Sequence, residues 1–407
     1  MMTVVNSQAA AAQSISNRPH PVDLIPMGGI VTVRDRLLEL QAQGRTVMRL
    51  ESGDPSFDIA PHVREAIEKA LRDGHTHYTA GAGIPGLRKA IFEKLRTVNR
   101  IAIKDANHVL VTNGAMHALY ITFRALCSDG EEVIVPDPTW TETADNVRLA
   151  GGVAVGCRTT AQTGYKMTAA AVEPLITPRT RAIVLNTPHN PTGAVLDRQT
   201  LTDLLELAHR HNLMIVSDEA YEHVIYDGLE HVSIGSLPGA EGRVISIYSY
   251  SKSYAMSGLR VGYVACDDDL LMERMAKLTR CTINGVNSAT QYGAIAALTG
   301  PQDFTVEMNR VYQHRRDLLL KGLERLTFLK PFKPDGAFYV WAAIDPAWEG
   351  IEGKRDGWAM THWLLDTFGV GSAPGEVFGA AGAGHVRFAF SCATDHIERA
   401  VAAFERM

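Results

Sequence analysis

From about residue 47 to residue 265, short apolar runs alternate with helical patterns, and this alternation restricts the fold more than any other feature of the chain. The runs include Val47–Leu50, His108–Thr112, Glu132–Val135, Arg181–Leu185, Met214–Ser217 and Val244–Tyr248; between them lie amphipathic stretches such as Gly114–Leu126 and Arg198–His211. Strands that read as near-continuous Val/Ile/Leu are buried on both faces, so the alternation predicts an α/β, three-layer architecture with a mostly parallel sheet between helices. Ligands of such a sheet bind at the carboxyl ends of its strands. The last hundred residues read as α+β, with a helix around Asp303–Leu326 and short strands near Phe338–Ala342 and His385–Phe390. The expected division is a large domain over 47–298 and a smaller one over 299–407. Residues 21–46 are expected to pack with the smaller domain, and residues 1–20 to form a flexible tail.

Charge and composition narrow the function classes. A net charge of −5 gives no electrostatic reason to bind nucleic acid or an anionic membrane. The five cysteines are scattered without a close pair, which suits unpaired thiols in a reducing compartment. No run approaches the roughly 20 apolar residues of a spanning helix. The first twenty residues lack a basic start ahead of an apolar core, so we expect no signal peptide and a cytoplasmic protein.

The chemistry gathers around Val244–Tyr263. An apolar strand ends in small hydroxyl residues, then Lys252, then Ser257-Gly258 and Arg260. For any single Lys the plain reading is a solvent-facing turn. Here Ser249 and Arg260 form an anion-binding pair around it, and a lysine beside a fixed cation is an activated amine nucleophile. A Schiff-base lysine next to a phosphate site is the sharper reading.

Other strand ends supply partners. Met214–Ser217 delivers Asp218, with Tyr221 three residues on, and a buried carboxylate needs a cationic or donor partner. Val109–Thr112 runs through Asn113-Gly114-Ala115 straight into a helix, whose free N–H groups suit an anion. Trp140 follows Val133–Pro138 and is either a core residue or a platform for a planar ring. Asn190 stands in the loop Asn186–Gly193, stiffened by two prolines, and Gly53 in a Gly-Asp-Pro turn lets the backbone approach a ligand. Arg387 in a short apolar strand is either a snorkelling surface residue or a fork for a carboxylate. Tyr78 is a packed surface residue or a phenol for a phosphate. Gly81–Gly86 matches the spacing G-x-G-x-x-G, but a polar stretch precedes it and Pro85 opens a helix, so a dinucleotide site is rejected. No metal is expected: the His-x-x-Glu-His pattern fails at Glu219, and no other His or Cys cluster has ligand spacing.

Together these parts are what pyridoxal 5'-phosphate chemistry requires. The motifs Asn190-Pro191-Thr192-Gly193, Ser217-Asp218-Glu219-Ala220-Tyr221, Ser249-x-Ser251-Lys252 with Arg260 eight residues on, and His385-Val386-Arg387 resemble those of the fold-type-I class I/II aminotransferases. The likeness is closest to the branch of bacterial aspartate aminotransferases and runs from about Val22 to Met407. It implies a fold type I transferase, a homodimer with shared active sites, in which Lys252 holds the cofactor as a Schiff base and acts as general base. By the same resemblance Asp218 pairs with the ring nitrogen, Tyr221 and Asn190 bond the ring hydroxyl, and Trp140 stacks on the ring. Gly114, Ala115, Ser249 and Arg260 hold the phosphate, with Tyr78 reaching over from the second subunit. Arg387 clamps the substrate α-carboxylate, helped by Asn190 and the Gly53 backbone. The implied reaction moves an amino group between an L-amino acid and a 2-oxo acid in two half-reactions.

One position departs from that branch. Where related dicarboxylate enzymes carry a Lys after the glycine pair at the helix start, this chain has Met116. The departure leans away from aspartate and toward an aromatic or aliphatic donor. Two rivals use the same core residues or the same cofactor. One is a lyase, cyclase or hydroxylase step, which 2-oxo acid–dependent turnover would separate. The other is a non-catalytic cofactor-sensing domain of a transcription regulator, for which the first twenty residues are too short and insufficiently basic.

Overall fold

The computed structural model describes residues 21–26 and 28–407; the expected tail over 1–20 lies outside the described residues. Seven strands form the larger sheet: β1 (Val109–Thr112), β2 (Glu132–Asp137), β3 (Val153–Arg158), β4 (Thr180–Asn186), β5 (Met214–Asp218), β6 (Val244–Ser249) and β7 (Gly262–Ala265). Their order is β1-β7-β6-β5-β4-β2-β3. Only β7 runs against its two neighbours; β2 to β6 are mutually parallel.

Burial of both faces is visible residue by residue. Val133, Val135, Val184, Val216, Ile245 and Ile247 enter the core beneath the helix Gly114–Leu126. The alternate residues Ile134, Ile183, Leu185 and Ile215 enter the opposite core, against Leu201, Leu204 and Leu205 of the helix Arg198–Arg210. Each such side chain contributes about 1.5–3 kcal/mol on leaving water. The period of two along the strands therefore fixes register, since a one-residue slip would exchange the two cores wholesale.

The second sheet is antiparallel, in the order β10-β11-β9-β8, from β8 (Leu329–Phe332), β9 (Tyr339–Ile344), β10 (Ala373–Pro374) and β11 (His385–Ala389). The helices Asp303–Leu323 and Thr394–Phe404 share its core, with Leu319, Leu323, Val340, Phe388 and Phe404 buried together. The helix Gly29–Ala42 buries Val33, Leu37 and Leu40 against Leu365 and Trp358, on the side of this second sheet.

Three local expectations change. Val47–Leu50 is not a strand: it makes a single bridge, Met48 to Val370. It is apolar because Val47, Met48 and Leu50 are buried between packed elements, but it has no neighbouring strand to form a ladder. β3 has no counterpart among the expected strands, because its edge position leaves Val153 and Arg158 exposed and breaks the apolar pattern. β7 is likewise additional, a four-residue strand beginning two residues after Arg260. Among the described residues no helix is long and apolar enough to cross a membrane.

Candidate active site

A cavity of about 380 Å³ opens at the carboxyl ends of the parallel strands, between the two sheets. Its walls include Gly53, Ala115, Trp140, Asn190, Asp218, Tyr221, Lys252, Arg260 and Arg387. Residues from widely separated stretches thus meet because parallel strands all end on one side of the sheet.

Lys252 stands in the helical turn Tyr250–Ser253 that follows β6 directly. Its Nζ donates to the Gly53 carbonyl at 2.6 Å. Part of the residue still faces the cavity, while the surrounding walls enclose the amine. Burial lowers its pKa from 10.5 to about 8; Arg260 and Arg387 push the same way and Asp54 opposes them. Roughly a tenth is therefore the neutral amine at pH 7, far more than for an ordinary lysine, and this is the form that attacks a carbonyl or accepts a proton.

Asp218 ends β5 and is buried. Burial raises its pKa to about 7, Glu219 adds to the rise, and the Ala220 N–H, donating at 3.2 Å, opposes it. No cation pairs with it among the described residues. A buried carboxyl with one weak donor and a face on a cavity is suited to a positively charged nitrogen supplied by a ligand. The backbone that carries it is pinned on both sides. Asn186, at the end of the adjacent β4, donates to the Asp218 carbonyl at 3.1 Å and accepts from the Asn190 N–H at 2.9 Å. Beyond it, the buried Glu219 carboxylate accepts from Ser217, Ser233 and Tyr248 hydroxyls at 2.9, 2.5 and 3.0 Å and meets His231 Nε2 at 2.7 Å. Glu222 meets Lys94 at 2.5 Å and Asn99 at 2.8 Å. Tyr221 is held between these two anchored glutamates.

Arg387 crosses from the second sheet. It is 2 % exposed, donates to Asn190 Oδ1 at 2.9 Å and to the Glu51 carbonyl at 2.7 Å, and lies 4.3 Å from the Tyr339 ring and 4.6 Å from that of Phe378. Its Nε has no hydrogen-bond partner among the described residues. Two aromatic faces and two fixed acceptors hold the guanidinium's plane while the other N–H donors, that of Nε among them, stay open, a geometry that receives a carboxylate.

The anion side is built around Arg260. Arg260 adopts a left-handed backbone (φ 52°), and its Nη1 donates to the Ser257 carbonyl at 2.8 Å. Gly114 has φ 76°, and a Cβ there would meet Arg260 Nη2 at 2.6 Å, so glycine is required for both conformation and space. Ser249 is buried and accepts from the Ser251 N–H at 3.1 Å; Ser251 and Ser257, rather than Ser249, face the cavity. Trp140 flanks the cavity just ahead of the helix Thr141–Leu149. Tyr78 is not brought to this cavity within the chain: it is 91 % exposed, on a separate depression with Thr76 and Asn284.

Tyr339, at the start of β9, is a wall residue that the motifs do not reveal. Its hydroxyl lies 2.8 Å from that of Tyr221, and it fills the space that a Cβ on Gly53 would take. Asn186 also escapes the motif reading, although its place at a strand's carboxyl end is a usable signal. Burial and Tyr339 hold the Tyr221 phenol well above its ordinary pKa, so it is a neutral donor. Tyr339→Phe is expected to lower kcat/KM about fivefold, the value of one hydrogen bond of roughly 1 kcal/mol. Steady-state kinetics check it, with a melting temperature within a few degrees of wild type showing that the fold is intact.

These residues match a group with an aldehyde, a basic ring nitrogen and a phosphate. The comparison with known proteins agrees. The sequence profile described as "Aminotransferase class I and II" matches residues 45–404. The chain belongs to the class I and II aminotransferases. Similar members include an aspartate/prephenate aminotransferase of Thermus thermophilus, 38% identical over 93% of this chain and 95% of the relative. An aspartate aminotransferase of Bacillus sp. (strain YM-2) is 35% identical over 90% and 93%. The solved aspartate aminotransferase from Thermus thermophilus with maleate superposes with a TM-score of 0.89 at 36% identity, covering 96% of this chain and 99% of that one. As a member of this family the protein is a pyridoxal 5'-phosphate-dependent aminotransferase of fold type I.

Proposed function

We propose that this aminotransferase takes an L-amino acid with an uncharged side chain as donor, and that the cavity residues divide the work as follows. Lys252 carries the cofactor covalently, Asp218 faces its ring nitrogen, and Tyr221 and Asn190 donate to its ring hydroxyl. Trp140 covers the ring. Ala115, Arg260 and the Gly114 and Ser249 turns receive the phosphate. The cofactor, when bound, supplies an electron sink for the carbon that loses its proton. Arg387, Asn190 and the Gly53 backbone orient the donor's α-carboxylate, which places Cα beside Lys252. Once the donor's amino group has taken its place on the cofactor, the freed Lys252 amine, with a pKa of about 8, would remove the Cα proton and later return it; a base of this strength is matched to work near neutral pH. The Tyr221–Tyr339 pair and the walls of the cavity keep water away from that transfer.

The observation that carries the donor reading is the cation count. Among the described residues the cavity holds three cations, Lys252, Arg260 and Arg387, and each has a role in the scheme above. The wall left for the donor's side chain contains Ile30, Met116 and Trp140. A dicarboxylate would bury its second charge there without a partner. In a panel of donors with one 2-oxo acid, leucine or phenylalanine is expected to exceed aspartate in kcat/KM by about tenfold or more, the scale of one unfavourable charge. A panel with aspartate ahead would remove this reading.

We further propose a cytoplasmic homodimer in which Tyr78 completes the partner's phosphate site. Its nearly full exposure supports this, since a large ring left in water is suited to an interface. The division into domains over 47–298 and 299–407 is proposed on the same footing, supported by two separate sheets with separate cores.

A further inference from the structure

The backbone proposed to meet the donor's carboxylate belongs to residues 50–56, a strap that crosses between the two sheets. Its ties on the side of the second sheet are many. The Leu50 carbonyl accepts from the Ala389 N–H at 2.6 Å, the Glu51 carbonyl from Arg387 at 2.7 Å, and the Ser52 carbonyl from the Ser391 hydroxyl at 2.9 Å. Farther on, the Ser56 N–H donates to the Ser391 carbonyl at 3.0 Å, and the Ser56 hydroxyl accepts from Arg315 Nη1 at 3.0 Å. Gly53 and Asp54 are held from the other side. Among the described residues two hydrogen bonds do this: Lys252 Nζ to the Gly53 carbonyl at 2.6 Å, and the Ser257 hydroxyl to Asp54 Oδ1 at 2.5 Å. Gly53 has no side chain to lock its own backbone, and Tyr339 fills the space where one would stand.

The two bonds differ in what they survive. Lys252 is the amine that carries the cofactor, and a nitrogen joined to the cofactor's carbonyl carbon keeps at most one of its three hydrogens. Asp54 and Ser257 have no such duty, though both line the cavity. Ser257 also opens the turn Ser257–Leu259, and its carbonyl accepts from Arg260 Nη1 at 2.8 Å. One serine thus joins the strap to the anion side of the site. We infer that Asp54 is a positioning residue for the donor: its carboxylate, by accepting from Ser257, fixes the Gly53 backbone over the cavity when Lys252 is occupied by the cofactor. The inference rests on the proposed seating of the donor's α-carboxylate at Arg387 and Gly53. A hydroxyl donating to a carboxylate makes a charge-assisted bond, stronger than a neutral one. A backbone that orients a substrate needs such a lock, because a misplacement of about 1 Å in a positioning group is costly.

The test uses holoenzyme with leucine as donor and isocaproate, the leucine skeleton without its amino group, as a ligand that cannot react. Asp54 is exposed, so replacing it leaves the packed cores alone. Asp54→Ala and Ser257→Ala are each expected to raise the leucine KM and the calorimetric Kd of isocaproate about fivefold, the value of one hydrogen bond. kcat should stay within about twofold, since the lost contact serves ground state and transition state alike. The double variant should be no worse than either single one, because both remove the same bond. Asp54→Asn keeps an oxygen for Ser257 and should lie within about twofold of wild type. An Asp54→Asn as impaired as Asp54→Ala would show that the charge acts and not the bond, and would overturn the inference. So would additive effects in the double variant, or a lowered melting temperature with KM and Kd unchanged. Arg387→Ala separates the two readings. If it leaves the isocaproate Kd unchanged, the seating of the donor is wrong; if it raises that Kd while Asp54→Ala does not, the positioning role alone is wrong.

Discussion

Lys252→Ala is expected to fold, to bind the cofactor without a covalent link, and to lose transamination by about two to four orders of magnitude or more, the range set by removing a general base alone. Three measurements check it. The visible absorbance of the lysine-bound cofactor should be absent; borohydride treatment should leave no cofactor attached to the chain; and single-turnover loss of the donor Cα proton should be slowed by the same factor as kcat. Tolerance of the substitution follows from the site: the Lys252 side chain already faces a cavity, so its removal enlarges an open space and leaves the packed cores of the large sheet untouched. The substitution also removes the hydrogen bond to the Gly53 carbonyl. Undiminished turnover would show that another group moves the proton.

Asp218→Asn separates function from stability with opposite signs. In the cofactor-free protein the Asp218 carboxyl has its pKa raised by burial to about 7, above an unfolded value near 3.8. Between those values the folded state holds a proton that the unfolded state has released, so stability falls as pH rises from about 4 to about 7 and stays reduced above it. The penalty is on the order of 4 kcal/mol, since each pKa unit is worth about 1.36 kcal/mol. The amide of the variant cannot ionise, so cofactor-free Asp218→Asn is expected to melt higher than wild type at pH 8 and alike at pH 4. With the cofactor present the order reverses: wild type gains a buried ion pair between the carboxylate and the ring nitrogen, and the variant loses both affinity and most of kcat. Melting curves at the two pH values, with and without cofactor, test both halves. A cofactor-free variant less stable than wild type at pH 8 would mean that the carboxylate is already satisfied by the protein.

The second result bears on how such a site persists. A buried, unpaired carboxyl and a buried amine are each unfavourable in the empty fold. The surrounding network of Glu219, Glu222, Lys94 and Asn186 holds their backbone in place regardless. Stability is thus drawn from the sheet and its two cores, while the cavity keeps groups whose partners arrive with the ligand.

Much of this was legible in the chain alone, and for one physical reason. Parallel strands buried on both faces must be apolar along their length and must end on the same side, so each run of Val, Ile and Leu also marks where its last polar residue will stand. Asp218 after Met214–Ser217, Asn190 after Arg181–Leu185 and Lys252 after Val244–Tyr248 were found in that way, and the helix Gly114–Leu126 by its apolar period. Tertiary structure alone decided the rest. Tyr339 belongs to a second sheet, far along the chain from Lys252, and no local pattern tells that its side chain crosses to the first; Arg387 is marked by its motif, but its contacts with Asn190 and Glu51 come from the fold. Val47–Leu50 looked like a strand because burial selects apolar residues whether or not a neighbouring backbone is there to pair with them. The edge strand β3 was hidden for the converse reason: it pairs on one side, with part of its length in water.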